Sequence, residues 1–305
     1  MLPRTVFMGS PEFALPTLRL LAESYPVVGV ITQPDRPSGR GKVLTPPPVK
    51  QLALELGLPL IQPDRLRRPE AMQVLRDWQP ELIVVAAFGQ ILRQEVLDLP
   101  PYGCLNVHGS LLPRWRGAAP LQAAILNGDT ETGITIMRMD AGVDTGPLLS
   151  QRSLPIRPDE TAASLSSVMA ELGARLLLET LPAYLAGSLQ PQPQDETLAT
   201  YAPMLQKEAG RLDFHLPAIQ LERRVRAFNP WPSAYTFYQE QLLKVHRARA
   251  VVGEGGVPGT RLVIQGVPAV ACTEGLLVLD EVQPAGKKPM PGRIFLQGAR
   301  AWVST

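Results

Sequence analysis

Short apolar runs alternate with helical stretches through the first third of the chain. TVFMG and PVVGVIT read as β-strands on either side of PEFALPTLRLLAES, whose apolar residues recur at helical spacing. That alternation predicts a βαβ start. Ser10 followed by Pro11 reads as an N-cap with proline at the first helical position, so the turn after the first strand would present a helix N-terminus to an anion. The same turn lacks G-x-G-x-x-G, which argues against dinucleotide binding. Further on, ELIVVAAFG is apolar at consecutive positions, the pattern of a strand covered on both faces. CLNVHGS and GITIMRM follow as further strands, with the helical PLQAAILNGD between them. The pattern predicts an α/β fold: a doubly wound, mostly parallel, Rossmann-like sheet.

Two segments break the alternation. From Pro34 to Pro48 the chain reads PDRPSGRGKVLTPPP, with five prolines and two glycines, and is expected to hold no regular structure. It carries Arg36, Arg40 and Lys42 against a single Asp35, which suits an arm that closes over a phosphate-bearing partner. After Gly187, the polar, proline-dotted GSLQPQPQDETLATYAP reads as an interdomain linker. The expected organisation is therefore a first domain over residues 1–189, a linker over 190–206 and a second domain over 207–305. From about Leu242 the second domain shows short β-rich runs, TRLVIQG, AVACTEG and LLVLDEVQ, separated by glycine and proline turns, which suggests a small OB-like β-barrel.

Composition narrows the class. With 45% apolar and 19% charged residues the chain reads as an ordinary globular protein, though 32 prolines in 305 residues is unusually many. No apolar run approaches the roughly 18 residues of a membrane span and the N-terminus lacks the apolar core of a signal peptide, so a cytoplasmic location with no membrane partner is expected. Cys104 and Cys272 are too far apart in sequence to suggest a disulfide framework or a metal cluster and read as core thiols. The net charge of +2 hides an asymmetry. Residues 207–305 carry 13 Lys and Arg against eight Asp and Glu, whereas residues 1–206 carry 17 against 20. A basic β domain beside an acidic one fits a nucleic-acid partner.

The candidate chemistry lies in YGCLNVHGSLLPRWRGAAP, from Tyr102 to Pro120. If CLNVHGS is a strand, Asn106 and His108 share one face while Val107 points to the other, and Ser110 continues the polar side. The strand runs into a Gly- and Pro-rich loop, the place where ligands bind in open α/β sheets. GITIMRM ends in DAGVDTGP, where Gly142 and Gly146 mark a tight turn displaying Asp140, Asp144 and Thr145. A lone strand histidine or an Asp-Gly turn is commonly structural. Together, an Asn, a His and an Asp at adjoining strand ends supply an oxyanion donor, a proton shuttle and an orienting carboxylate. No serine or cysteine sits in a G-x-S-x-G elbow, which favours direct transfer to an outside nucleophile over covalent hydrolysis.

QPDRPSGRGK, LNVHGSLLPRWRGAAP, DAGVDTGP and RAFNPWPSAY, in this order and spacing, resemble the methionyl-tRNA formyltransferases, within the wider family of formyltransferases that use 10-formyltetrahydrofolate. The resemblance covers nearly all of the chain. It implies formyl transfer from 10-formyltetrahydrofolate to the amine of initiator methionyl-tRNA, without a metal, by a monomer. It implies catalytic roles for Asn106, His108 and Asp144, and contact with the folate by Ser110, Leu111, Leu112 and Pro113. It also implies tRNA contacts by Arg36, Arg40, Lys42 and Lys207, with Lys287 and Lys288 on a basic turn as further candidates. The shared donor chemistry leaves a sugar nucleotide or water as the alternative acceptor.

Overall fold

The computed structural model describes residues 1–38, 43–254 and 256–303. Its central sheet has seven strands: β1 (Thr5–Gly9), β2 (Val27–Ile31), β3 (Leu60–Ile61), β4 (Leu82–Ala86), β5 (Cys104–His108), β6 (Glu131–Arg138) and β7 (Leu148–Pro155), in the order β7-β6-β5-β4-β1-β2-β3. The β1–β2, β1–β4, β2–β3 and β4–β5 pairs are parallel, whereas β6 runs antiparallel to β5 with Leu105 opposite Arg138 and His108 opposite Thr135. The mostly parallel, Rossmann-like sheet expected from the sequence is thus present. Every residue of β4 is buried, as its continuous apolar run requires. One apolar cluster joins Val6, Met8, Ile83, Val85 and Cys104 to Met72 and Leu75 of the helix Pro69–Asp77.

Two local expectations change. Ser10 does not cap a helix. A 3-10 turn at Glu12–Ala14 precedes the helix Leu15–Ser24, with no side-chain cap on either. The Ser10 hydroxyl instead accepts a hydrogen bond from the Gln33 N–H at 3.1 Å and lies 3.5 Å from the Phe88 carbonyl oxygen, so it ties together the loops after β1, β2 and β4. The basic Pro34–Pro48 segment is not free of regular structure, because Arg36–Ser38 pairs antiparallel with Val43–Thr45. Proline removes only its own N–H from a ladder, and a three-residue edge ladder tolerates Pro37. Arg40 and Lys42 lie outside the described residues.

The chain forms two compact units, one of Met1–Pro120, Thr132–Leu154 and Ser166–Tyr201, the other of Leu121–Glu131, Pro155–Leu165 and Ala202–Thr305. The second contains an antiparallel sheet of β8 (Ala234–Tyr238), β9 (Gln241–Glu254), β10 (Arg261–Ile264), β11 (Val267–Ala271), β12 (Glu274–Pro284) and β13 (Met290–Pro291). Its order is β8-β9-β12-β11-β10, with β13 on β12. The core holds Leu221 and Val225 of the helix Ala218–Ala227 with Val245, Leu277, Leu279, Phe295 and Trp302. Trp302 is buried and its indole N–H donates to the Leu262 carbonyl at 2.8 Å, so its one polar group is satisfied. One of the earlier stretches, Pro155–Leu165, is hydrogen-bonded to the rest of this unit: the Ala163 N–H donates to Asn229 O, and the Arg226 guanidinium donates to Glu160 O. No helix among the described residues is long and apolar enough to cross a membrane.

The face of β5 opposite the polar one depends on a glycine. The helix Ala162–Leu185 passes so close to Val107 that a Cβ on Gly173 would stand 2.7 Å from Val107 Cγ1. Val107 is stiff at χ1 and cannot swing away. Gly173→Ala is therefore expected to lower stability by about 1–3 kcal/mol through overpacking, despite alanine's better helix propensity. Urea unfolding checks this; a midpoint equal to or above wild type would show that the helix yields freely.

Candidate active site

Alternation along β5 decides which side chains meet. Cys104 enters the apolar cluster. Two and four residues later the same face presents Asn106 and His108, buried at 9% and 5% exposure. The strand ends at His108, so Ser110 belongs to the following loop. Asp144 reaches them by a route that the sequence does not suggest. Because β6 is antiparallel, its carboxyl end at Arg138 lies beside the amino half of β5, away from His108. The loop after β6 folds back over the sheet face, so the carboxylate does not stand at an adjoining strand end. Spatial limits, and not positive φ, explain the two glycines: a Cβ on Gly146 would stand 1.9 Å from Arg138 O, and one on Gly142 would stand 2.0 Å from Thr145 Oγ1. The left-handed residue of the loop is Asp144 itself, at φ 53°.

The Asp144 carboxylate is the meeting point. Its Oδ1 accepts from Asn106 Nδ2 at 3.2 Å, its Oδ2 accepts from the Gly117 backbone N–H at 2.8 Å, and Oδ2 lies 3.5 Å from His108 Nδ1. His108 Nε2 lies 3.1 Å from the Trp115 carbonyl oxygen. Each ring nitrogen thus faces an acceptor, and a protonated ring can donate to both. Asn106 spends one amide N–H on Asp144 and keeps a second donor. Asp140, the other acid of the turn, is occupied locally, accepting from Thr145 Oγ1 at 2.6 Å and from the Gly142 N–H.

The loop after His108 is held from within. Ser110 is fully buried, and its hydroxyl donates to Arg114 O at 2.5 Å. Leu112 is buried, its N–H bonded to Thr135 Oγ1 and its carbonyl to Gln151 Nε2. Leu111 and Pro113 are half-buried, so these two side chains retain surface for a ligand. Of the candidate phosphate-binding residues, Arg36 is exposed and bonds Gln33 Oε1, while Lys207, Lys287 and Lys288 are exposed in the second unit. Among the described residues no three His, Cys, Asp or Glu side chains converge as a metal site needs.

Sequence reasoning missed a brace. Arg116 is fully buried, and its guanidinium donates to Gln194 Oε1 at 3.1 and 2.9 Å and to both Glu196 carboxylate oxygens at 2.8 and 2.7 Å. Gln194 Nε2 in turn donates to Asp144 O at 2.8 Å and Gly146 O at 2.7 Å. Thr200 completes the brace. Its hydroxyl accepts from the Trp115 N–H at 2.9 Å and its carbonyl from the Arg116 N–H at 2.9 Å. Residues 194–200, in the stretch that reads as a linker, therefore hold both loops that carry the site.

The chain is similar to known proteins over nearly its whole length. The family model for formyl transferase matches residues 6–181, and that for the formyl transferase C-terminal domain matches residues 204–300. The methionyl-tRNA formyltransferase of Myxococcus xanthus is 54% identical over 298 residues, covering 97% of this chain and 95% of that protein. That of Geobacter sulfurreducens is 51% identical, covering 97% and 94%. Among solved structures, the sugar 3N-formyl transferase WlaRD superposes with a TM-score of 0.68 at 16% identity over 94% of this chain and all of that one. The methionyl-tRNA formyltransferase from Clostridium thermocellum does so at 0.55 and 17% over 83% and 95%. At these identities the structural matches establish the fold alone.

The brace has a pH signature. The Arg116 guanidinium holds the Glu196 carboxyl below its usual range, and the Glu196 carboxylate raises Arg116. A carboxyl lowered by folding adds stability above its unfolded value and loses it as pH falls through the folded value. The stability difference between wild type and Glu196→Gln is therefore expected to be full at neutral pH and to shrink as pH drops below the ordinary carboxylate range. Denaturant titrations of both proteins between neutral and acid pH check this; a difference independent of pH would remove the ion pair from the account.

Proposed function

The chain belongs to the methionyl-tRNA formyltransferase family, and from that premise we propose how its residues divide the work. The enzyme transfers a formyl group from 10-formyltetrahydrofolate to the α-amino group of methionyl-tRNA. The amine nitrogen bonds to the formyl carbon and the bond from that carbon to N10 breaks. One proton leaves the amine and one arrives at N10. The protein must stabilise an oxyanion on the formyl oxygen and carry that proton.

The contact of one carboxylate, Asp144, with both Asn106 and His108 carries this reading. Asn106, with one amide N–H held by Asp144, directs its second to the oxyanion. His108 takes the amine proton and returns it to N10, with Asp144 fixing the ring's orientation and supporting its charged form. Leu111 and Pro113 offer apolar surface to the flat donor, while Ser110 and Leu112, whose side chains point inward, hold the loop in shape. Residues 207–305 supply the tRNA-binding domain, with Lys207, Lys287 and Lys288 on phosphates. Arg36, Arg40 and Lys42 bind phosphates of the same initiator tRNA. The enzyme works as a monomer in the cytoplasm. A sugar-nucleotide or water acceptor is not favoured, because the relatives at about half identity over the whole chain are methionyl-tRNA enzymes.

Two outcomes are expected. His108→Ala and Asp144→Ala each lower kcat about 10²–10⁴-fold at saturating donor with the fold intact, and Asn106→Asp is at least as damaging because a carboxylate repels the oxyanion. Single-turnover formylation of charged tRNA checks this, and near-normal kcat in any of the three removes that residue from the mechanism. Binding of tRNA weakens with salt at a log-log slope of roughly −0.7 to −0.9 per phosphate neutralised. Lys207→Ala, Lys287→Ala and Lys288→Ala each flatten that slope; weaker binding at an unchanged slope would assign the lysine to packing.

A further inference from the structure

We propose that Gln194, gripped by the buried Arg116, is a positioning residue for formyl transfer, acting through Asp144 on the geometry of His108. The inference rests on the catalytic reading of Asp144 and concerns atoms that touch no substrate.

Each polar atom of the Gln194 amide has a partner. Its oxygen accepts two N–H groups from Arg116, and its nitrogen donates to Asp144 O and Gly146 O. The second pair matters because Asp144 adopts the left-handed conformation at φ 53°, which a non-glycine residue rarely holds without support. Fixing the carbonyls at positions 144 and 146 fixes the peptide from which the carboxylate extends. Arg116 closes the circuit from the other side. Its backbone lies between the Trp115 carbonyl, which faces His108 Nε2, and the Gly117 N–H, which donates to Asp144 Oδ2. One side chain thus couples the loop that receives the histidine to the loop that carries the acid. Small errors in such geometry are costly, since an error of 1 Å in a catalytic group can reduce a rate by about 10²-fold.

A residue that only tethered the chain would behave differently on substitution. Gln194→Glu preserves size, keeps an acceptor for Arg116 and strengthens that contact by adding charge. It replaces the N–H donor with an oxygen that faces two carbonyl oxygens. Gln194→Met keeps the approximate length without donor or added charge. Glu196→Gln disturbs the tether alone and leaves an acceptor for Arg116.

The test measures formylation of methionyl-tRNA by full-length protein, with kcat and KM for both substrates, beside thermal unfolding of each variant. Gln194→Glu and Gln194→Met are each expected to lose at least about tenfold in kcat, with both KM values within about twofold of wild type. Glu196→Gln is expected to stay within about twofold in kcat. A kcat within twofold of wild type in either folded Gln194 variant overturns the proposal, as does a loss confined to KM. If Gln194→Glu does not fold, Gln194→Met decides alone. Asp144→Asn separates the two readings. If it is crippled while the Gln194 variants are normal, only the positioning role falls; if it retains full kcat, the catalytic reading of Asp144 and the positioning role fall together.

Discussion

A carboxylate that must satisfy three neighbours at once governs the first unit. Asp144 has its side chain 14% exposed, and within that confined space it accepts from the Gly117 N–H and the Asn106 amide and lies against His108. Such a group is stable only where donors surround it. The donors come from two places, a strand and the loop that continues it, and they meet the carboxylate on a loop returning from the neighbouring strand. Each must arrive at a fixed distance. Gly142 and Gly146 admit the returning loop, Val107 and Gly173 set the strand against its helix, and Arg116 keeps the intervening loop close.

Much of this was legible, and the reason is periodicity. Continuous apolar runs mark β1, β2 and β4 because a sheet covered on both faces exposes no polar position. The two-residue spacing of Asn106 and His108 places them together on any strand. What local pattern could not reveal was direction. An antiparallel β6 and a parallel one carry the same alternation, so the approach of Asp144 over the sheet face had no local signal. Ser10–Pro11 has the composition of a cap, yet its hydroxyl finds the Gln33 N–H, a tertiary partner 23 residues away. The hairpin at Arg36–Ser38 and Val43–Thr45 was hidden by its prolines. The strand Ala234–Tyr238 is masked in the sequence by the prolines just before it, which suggest only a turn.

Arg116 and Gln194 show a different blindness. In RWRGAAP the arginine looks like one more cation of a basic loop, and in QPQPQDET the glutamine looks like solvated linker. The structure inverts both readings: Arg116 is fully buried, and Gln194 is bonded to it. A guanidinium removed from water needs several acceptors with planar geometry, and Gln194 and Glu196 supply them. What distinguishes the pair is a contact between residues 78 positions apart, which no window along the chain contains.

That separation also has a temporal side. The polypeptide leaves the ribosome from its amino end, so Asn106, His108 and Asp144 are all in existence before Gln194 is added. A nascent chain ending at residue 189 holds every reacting side chain, yet it lacks the amide that steadies Asp144 and the threonine that bonds Trp115 and Arg116. The guanidinium of Arg116, buried in the finished protein, at that stage lacks the acceptors that Gln194 and Glu196 later bring. Completion of the first unit is therefore a late event in translation, set by the last dozen residues of that unit and not by the residues that perform the chemistry.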